Sequence, residues 1–147
     1  MRLILIRGIP GTGKTTLANI ISSNVLETDD FFTDSQGVYE FDSKLLPYYH
    51  RLNQIRVRQA MNALEEMIVV SNTFAEIKEM KPYIDMANDN NYEVKVISLV
   101  GLHPNEHDVP PTLVETLTSI WEPYEGEHIY ESAGKTTEKE QTACSKN

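Results

Sequence analysis

The fold of this chain follows from the stretch LILIRGIPGTGKT at residues 3–15. Residues 3–6 form a continuous apolar run, which is typical of a strand buried on both faces of a parallel sheet. Residues 8–13 break that run with three glycines and a proline, and residues 14–23 then carry apolar side chains at helical spacing. A buried strand, a glycine-rich turn and a helix in this order predict a layered α/β protein.

The turn at residues 8–15 matches the pattern G-x-x-x-x-G-K-[ST] at every fixed position. Glycines let the backbone wrap closely around a phosphate chain, and the positive end of the following helix favours an anion. We expect an exposed Lys14 to reach the β- and γ-phosphates of ATP, and the Thr15 hydroxyl to ligate Mg²⁺. The predicted nucleotide-binding residues are Gly8, Ile9, Pro10, Gly11, Thr12, Gly13, Lys14, Thr15 and Thr16.

The rest of the chain alternates between predicted strands and helices. Strands are predicted at residues 24–28, 67–70, 92–100 and 128–130, and helices from 44 or 48 to 66, at 75–90 and at 111–121. The stripe of the long helix that we expect to face the core is Leu52, Ile55, Gln59, Ala63 and Met67. This order predicts a P-loop NTPase three-layer fold with a mostly parallel, about five-stranded sheet in residues 1–130. Residues 131–147 lack apolar periodicity, which predicts a disordered polar tail.

Two aspartates directly follow the second predicted strand. Ligands of parallel sheets bind beyond the carboxyl ends of the strands, so Asp29 and Asp30 should lie beside the phosphate loop. The Asp29 carboxylate is a candidate to accept the proton of an attacking hydroxyl, and Asp30 is a candidate acceptor-binding residue. The alternative is that these aspartates only cap a helix or a turn, as Asp commonly does where a strand ends.

A polar stretch also ends the third predicted strand, at Ser71, Asn72 and Thr73. Many P-loop proteins carry an aspartate at this point that supports the magnesium shell, and Ser71 cannot supply that charge. Asn72 and Thr73 are candidates to hydrogen-bond a substrate or a metal-bound water, or alternatively to cap the next helix.

The long helix carries three arginines and a histidine. Arg51 and Arg58 are seven residues apart and share one face, whereas Arg56 lies about 150° around the helix and closer to the apolar stripe. A guanidinium group forms two parallel bonds with phosphate, so all three are candidate acceptor-binding residues. Exposed helical arginines also serve solubility. For His50, a packed or surface position is favoured over a catalytic one.

Composition limits the compartment and the partners of this chain. Its 147 residues, 40% of them hydrophobic, fit one domain with a packed core, and no apolar run approaches the ~20 residues of a membrane helix. The net charge of −9 argues against a general surface that coats nucleic acid. Cys144 is the single cysteine and the N-terminus shows no signal peptide, so we expect a cytoplasmic protein without an intrachain disulfide or a membrane partner.

Three stretches carry a family resemblance: RGIPGTGKTT at residues 7–16, TDDFF at 28–32 and VSNTF at 70–74. With EMKPY at 79–83 and NEHDVP at 105–110, the chain resembles the P-loop kinases related to the kinase domain of polynucleotide 5′-hydroxyl kinase. It is most similar to their short phage and bacterial ATP-binding members, over residues 1 to about 125. The resemblance implies a five-stranded parallel sheet and a role for Asp29 on the attacking hydroxyl. It also implies an arginine-bearing lid, but Pro104 and Asp108 replace the arginine and glycine of the family pattern.

Three functions fit these observations. The first is an ATP-dependent kinase that phosphorylates a hydroxyl acceptor, such as a polynucleotide 5′-hydroxyl or a modified nucleotide. The second is a kinase for a small molecule, namely a nucleoside, a nucleotide or a sugar. The third is a nucleotide-binding module without transfer activity, which Ser71 and the absence of any arginine after Arg58 favour. In both kinase mechanisms, Lys14 and Mg²⁺ on Thr15 neutralise the phosphates while Asp29 positions the acceptor oxygen.

Overall fold

The computed structural model describes residues 1–101 and 110–131 of the chain. The strands of this described part are β1 (Arg2–Arg7), β2 (Val25–Leu26), β3 (Met67–Asn72), β4 (Glu93–Val100) and β5 (His128–Glu131). They form one sheet in the order β2-β3-β1-β4-β5, and each neighbouring pair is parallel. Its helices are α1 (Lys14–Ile21), α2 (Leu46–Asn62), α3 (Ile77–Asp89) and α4 (Pro111–Ile120), with a 3₁₀ helix at Thr28–Phe32. The predicted α/β fold with a five-stranded parallel sheet is confirmed.

The central strand β1 is buried on both faces, which explains its unbroken apolar sequence. Alternate residues point to opposite faces of a strand, so Leu3 and Leu5 pack in the cluster formed with α2 and α3. Ile4 and Ile6 pack on the other face, in the cluster that includes Ala18 of α1. Helices therefore cover both faces of the sheet, and the carboxyl ends of β1, β2, β3 and β4 share one edge.

Helix α2 faces the core with a different set of residues from the predicted stripe. Its buried residues are Asn53, Val57, Ala60 and Met61, whereas the side chain of Ile55 is 45% exposed. The helix ends at Asn62 because the chain reverses at Leu64, whose φ is +58°. The predicted stripe was wrong for two reasons. It extended the helix beyond Asn62, and it did not include the polar Asn53, whose burial is offset by a 3.1 Å hydrogen bond to the Tyr83 hydroxyl.

A pair of truncations tests this corrected orientation. Met61→Ala should lower the free energy of unfolding by about 2–5 kcal/mol, because Met61 is fully buried and its truncation leaves a cavity. The matched variant Ile55→Ala should cost less than about 1 kcal/mol, since Ile55 is partly solvated. Urea denaturation of both variants measures the difference. A larger loss for Ile55→Ala than for Met61→Ala would contradict the observed face of α2.

Two parts of the sequence interpretation fall on residues 102–109 and 132–147, outside the described residues. These are the lid that contains Pro104 and Asp108, and the predicted polar tail except for its first residue, Glu131, which instead ends β5. Among the described helices, none has the length and apolar character needed to cross a membrane.

Candidate active site

The loop between β1 and α1 forms a tight cradle. The Gly8 N–H donates a hydrogen bond to the carbonyl of Thr73 at 3.2 Å, and the buried Thr12 hydroxyl donates to the Ile9 carbonyl at 2.8 Å. A β-carbon on Gly8 would lie 2.5 Å from the Thr12 hydroxyl oxygen and 3.2 Å from the Leu99 carbonyl oxygen. Only glycine fits at position 8 without movement of the loop, so the close backbone path is built into the sequence.

The first turn of α1 opens onto this cradle. Gly13 is the N-cap and has a φ of +89°, a conformation that glycine adopts at little cost. No side chain caps this helix end, and no acidic residue lies in its first turn. Its positive end is therefore available to an anion, as a phosphate-binding loop requires. The cradle and the uncapped start of α1 fit a nucleotide phosphate chain. The hydroxyl oxygen of Thr15 fits as a ligand of Mg²⁺.

Lys14 is half-buried, so the expectation that it is exposed was wrong. The Cβ of a helical residue points back toward the helix N-terminus, and the Lys14 stem accordingly folds over the loop beside Gly8. Burial lowers the pKa of the Lys14 ammonium, while the carboxylates of Glu27 and Asp29 partly raise it again. The Lys14 side chain therefore lies against the loop, in surroundings that disfavour the charged form of its ammonium.

Asp29 lies in the first turn of the 3₁₀ helix that follows β2. In the part of the chain that the structure describes, no hydrogen bond or ion pair engages its carboxylate. Desolvation by the surrounding protein raises the pKa of Asp29, and Lys14 partly opposes that shift. Because the side chain is solvent-exposed, water screens much of this effect. The Asp29 carboxylate is therefore accessible to solvent and unpaired among the described residues.

Asp30 is occupied by protein contacts. Its Oδ2 accepts the backbone N–H of Glu27 at 3.2 Å and pairs with the Arg56 guanidinium at 3.1 Å. Both contacts stabilise the turn after β2, so the turn-capping alternative describes Asp30 better than Asp29.

The three polar residues at the end of β3 make different contacts. The Asn72 side-chain oxygen accepts the backbone N–H of Thr28 at 2.9 Å, which ties the end of β2 to β3. Ser71 is 2% exposed, and its hydroxyl has no hydrogen-bond partner among the described residues. Asn72 and Thr73 do not cap the next helix, because the N-cap of α3 is Glu76. That alternative was therefore wrong, whereas Thr73 contacts the phosphate loop through its carbonyl.

The three arginines of α2 differ in their surroundings. Arg56 donates to the Glu27 carbonyl at 2.8 Å and to the Asn53 side-chain oxygen at 2.6 Å, in addition to its pair with Asp30. These contacts hold its guanidinium against the turn after β2. Arg51 and Arg58 are exposed, and no ion pair engages them in the described residues.

His50 lies beside the same turn. Its Nδ1 is 3.1 Å from the Thr28 hydroxyl oxygen, and burial lowers its pKa. Both observations support the interpretation of His50 as a packed histidine.

Glu27 is a site residue that sequence reasoning missed. The Thr15 hydroxyl donates to Glu27 Oε1 at 3.2 Å, which brings a carboxylate to the proposed magnesium ligand. Burial raises the pKa of Glu27, with a further contribution from Asp30, while Thr15 and Lys14 oppose the shift. The sequence analysis included residue 27 in the second strand, although β2 ends at Leu26. A glutamate directly after that short apolar run was the available signal.

Arg7, which directly precedes the loop, is the second residue that sequence reasoning missed. Its guanidinium is fully buried, donates to the carbonyls of Phe74 and Ala75, and pairs with Glu127 at 2.9 Å. It also lies 4.0 Å from the Trp121 ring centre. A charged residue between a buried strand and a glycine-rich loop was the signal, since buried arginines are rare unless paired.

Comparisons with known proteins agree with this geometry. A family model described as an AAA domain matches residues 3–101, which is most of the part that holds the cradle. The curated protein NEDD4-binding protein 2 from Homo sapiens is 37% identical to the chain over 97 residues. That match covers 63% of this chain but only 5% of the human protein.

Two solved kinases share the fold. The gluconokinase from Sinorhizobium meliloti 1021 superposes with a TM-score of 0.65 at 17% identity, over 91% of this chain and 84% of that one. The Mycobacterium tuberculosis APS kinase in complex with AMPPNP and APS gives a TM-score of 0.56 at 12% identity, over 98% and 95% of the two chains. At these identities the similarity establishes the common fold.

Proposed function

The chain belongs to the AAA domain family, and on that premise we propose that it is an ATP-dependent kinase that transfers the γ-phosphate to a hydroxyl acceptor. The observation that carries this proposal is the exposed and unpaired Asp29 carboxylate, which lies in the first turn of the 3₁₀ helix after β2, at the carboxyl edge of the sheet. A nucleotide-binding module without transfer activity needs only the cradle and Lys14. A free carboxylate across from the phosphates serves transfer to an acceptor.

The phosphate side of the reaction belongs to the loop and α1. The loop N–H groups and the positive end of α1 hold the phosphates, and the Lys14 ammonium neutralises charge on the β- and γ-phosphates. Bound at the Thr15 hydroxyl, Mg²⁺ would neutralise further charge on the same oxygens. The nucleotide analogue held by the structurally similar APS kinase supports ATP as the donor.

Asp29 serves the acceptor side. The acceptor oxygen forms a bond to the γ-phosphorus, the bond from that phosphorus to the β–γ bridging oxygen breaks, and ADP leaves. The Asp29 carboxylate takes the proton of the acceptor hydroxyl. This role requires the ionised form of Asp29; desolvation raises the pKa of this carboxyl, and Lys14 partly opposes that shift.

An aromatic surface beside Asp29 supports a nucleoside-containing acceptor, such as a polynucleotide 5′-hydroxyl or a modified nucleotide. The Tyr39 ring packs edge-on against Phe32 with ring centres 6.2 Å apart, and Phe32 belongs to the same 3₁₀ helix as Asp29. Tyr39, Phe41 and Tyr48 are each more than half exposed. Aromatic faces of this kind stack on nucleobases. The exposed Arg51 on the same helix as Tyr48 is available to an acceptor phosphate.

Turnover of ATP in the presence of different acceptors tests this proposal. We expect 5′-hydroxyl oligonucleotides or nucleosides to raise ADP release well above the acceptor-free rate and to become labelled by [γ-³²P]ATP. Labelling of sugars alone would instead identify a small-molecule kinase. Tight ATP binding without labelling of any acceptor would contradict a kinase and identify a nucleotide-binding module.

A further inference from the structure

We propose that Glu27 is a direct ligand of the magnesium ion that accompanies ATP, together with the Thr15 hydroxyl. This inference rests on the proposed function. It assigns to Glu27, immediately after β2, the negative charge that many P-loop proteins place at the end of the third strand.

The spacing of the two oxygen atoms fits one edge of a magnesium octahedron. Thr15 Oγ1 and Glu27 Oε1 are 3.2 Å apart. Mg²⁺ binds oxygen at about 2.0–2.1 Å in octahedral geometry, so two adjacent ligands lie about 2.8–3.0 Å apart. Opposite ligands would lie about 4.1 Å apart by the same geometry. A contraction of a few tenths of an ångström would bring both oxygens onto one ion.

The end of β3 does not supply the negative charge that many P-loop proteins place there beside magnesium. Ser71 is a neutral residue with 2% exposure, and its hydroxyl lacks a partner in the described part of the chain. No group of three or more His, Cys, Asp or Glu side chains among the described residues could hold a metal by itself. Mg²⁺ usually keeps several waters and binds through one or two protein carboxylates and the substrate phosphates, so one carboxylate beside Thr15 suits this mode.

The neighbouring contacts favour Glu27 over the two aspartates. Asp30 is paired with Arg56, and in the described residues Asp29 makes no hydrogen bond to Thr15. The backbone of Glu27 is held on both sides, because its N–H donates to Asp30 at 3.2 Å and its carbonyl accepts from Arg56 at 2.8 Å. A ligand carried by a fixed backbone is preorganised for the ion.

Calorimetry of ATP binding with and without magnesium tests this assignment. For each protein, the dissociation constant of ATP in EDTA divided by that in excess MgCl₂ measures how much magnesium strengthens ATP binding. We expect Glu27→Gln to reduce this ratio by about 10-fold or more, in line with the loss of a metal-supporting group. In EDTA the variant should bind ATP as tightly as the parent or more tightly, because it lacks a charge that repels the phosphates. Glu27→Asp keeps the charge on a shorter stem and should retain part of the ratio.

The control is Glu66→Gln, which makes the same substitution before β3 at the opposite edge of the sheet, where Glu66 is exposed. It should leave the ratio unchanged, and thermal melting of each variant checks that it is folded. Titration with Mn²⁺ in the presence of ATP, followed by electron paramagnetic resonance, provides a direct readout of metal binding.

Two outcomes would overturn the assignment. An unchanged magnesium ratio in Glu27→Gln, with both dissociation constants at their parent values, would show that Glu27 is not a ligand and would leave the proposed function intact. Equal weakening of ATP binding with and without magnesium would show that Glu27 only braces Thr15. Failure of the unmodified protein to bind ATP at all would instead contradict the proposed function, and this inference with it.

Discussion

Asp29→Asn should slow phosphoryl transfer by about 10²–10⁴-fold, which is the usual contribution of general-base assistance. The substitution keeps the shape of the side chain but removes the charge that draws the proton from the acceptor hydroxyl. ATP affinity should stay constant or rise slightly, because one negative charge near the phosphates is removed. Single-turnover transfer from [γ-³²P]ATP and calorimetry measure the two quantities separately.

The matched control for this variant is Asp85→Asn. Asp85 is exposed on α3 and pairs with Lys81, so the same chemical change there should leave transfer unaffected. Unchanged transfer in Asp29→Asn would contradict the mechanism. A parallel fall in rate and in Mg·ATP affinity, restored by added magnesium, would reassign Asp29 to the metal.

The raised pKa of Asp29 has consequences for pH dependence and for stability. Transfer should fall with decreasing pH once Asp29 takes up a proton, and this should occur above the pH at which an ordinary aspartate is protonated. The folded state holds this proton more tightly than the unfolded state, so ionised Asp29 lowers stability as pH rises through that range. Asp29→Asn should therefore melt at the same temperature as the parent or slightly higher at neutral pH, since solvent screens much of the effect.

Lys14→Ala should weaken ATP binding by about 2–5 kcal/mol, a factor of roughly 30 to 5,000 in Kd. The ammonium is the cation that α1 directs over the loop, and its removal leaves the phosphates to the backbone N–H groups alone. Stability should not decrease, because burial lowers the pKa of Lys14 and the charged form is therefore disfavoured in the folded protein. Calorimetry and thermal melting measure the two effects.

Lys81→Ala provides the comparison for Lys14→Ala. Lys81 is exposed on α3, and its loss should change neither ATP affinity nor the melting temperature appreciably. Parent-like ATP affinity in Lys14→Ala would show that residues 8–15 do not form a phosphate-binding loop.

The phosphate loop and the layered fold were predictable from local sequence. The run at residues 3–6 is typical of a strand buried on both faces, and Gly8 is required where a β-carbon would meet Thr12 at 2.5 Å. Both constraints act within a few residues along the chain, so sequence pattern alone expresses them. The same holds for the position of Asp29 after the second strand, although its catalytic role stays a prediction.

Tertiary structure alone determined which polar groups were paired and which were free. Arg56 and Asp30 are 26 residues apart in sequence yet form an ion pair, and Arg7 reaches Glu127 across 120 residues. Such contacts leave no periodic signal, because each depends on where two distant elements meet. Glu27 became a candidate magnesium ligand only when the fold brought its carboxylate to the hydroxyl of Thr15. The charge of a side chain follows from its residue type. Whether that charge is paired or free to bind a ligand depends on neighbours that only the folded chain supplies.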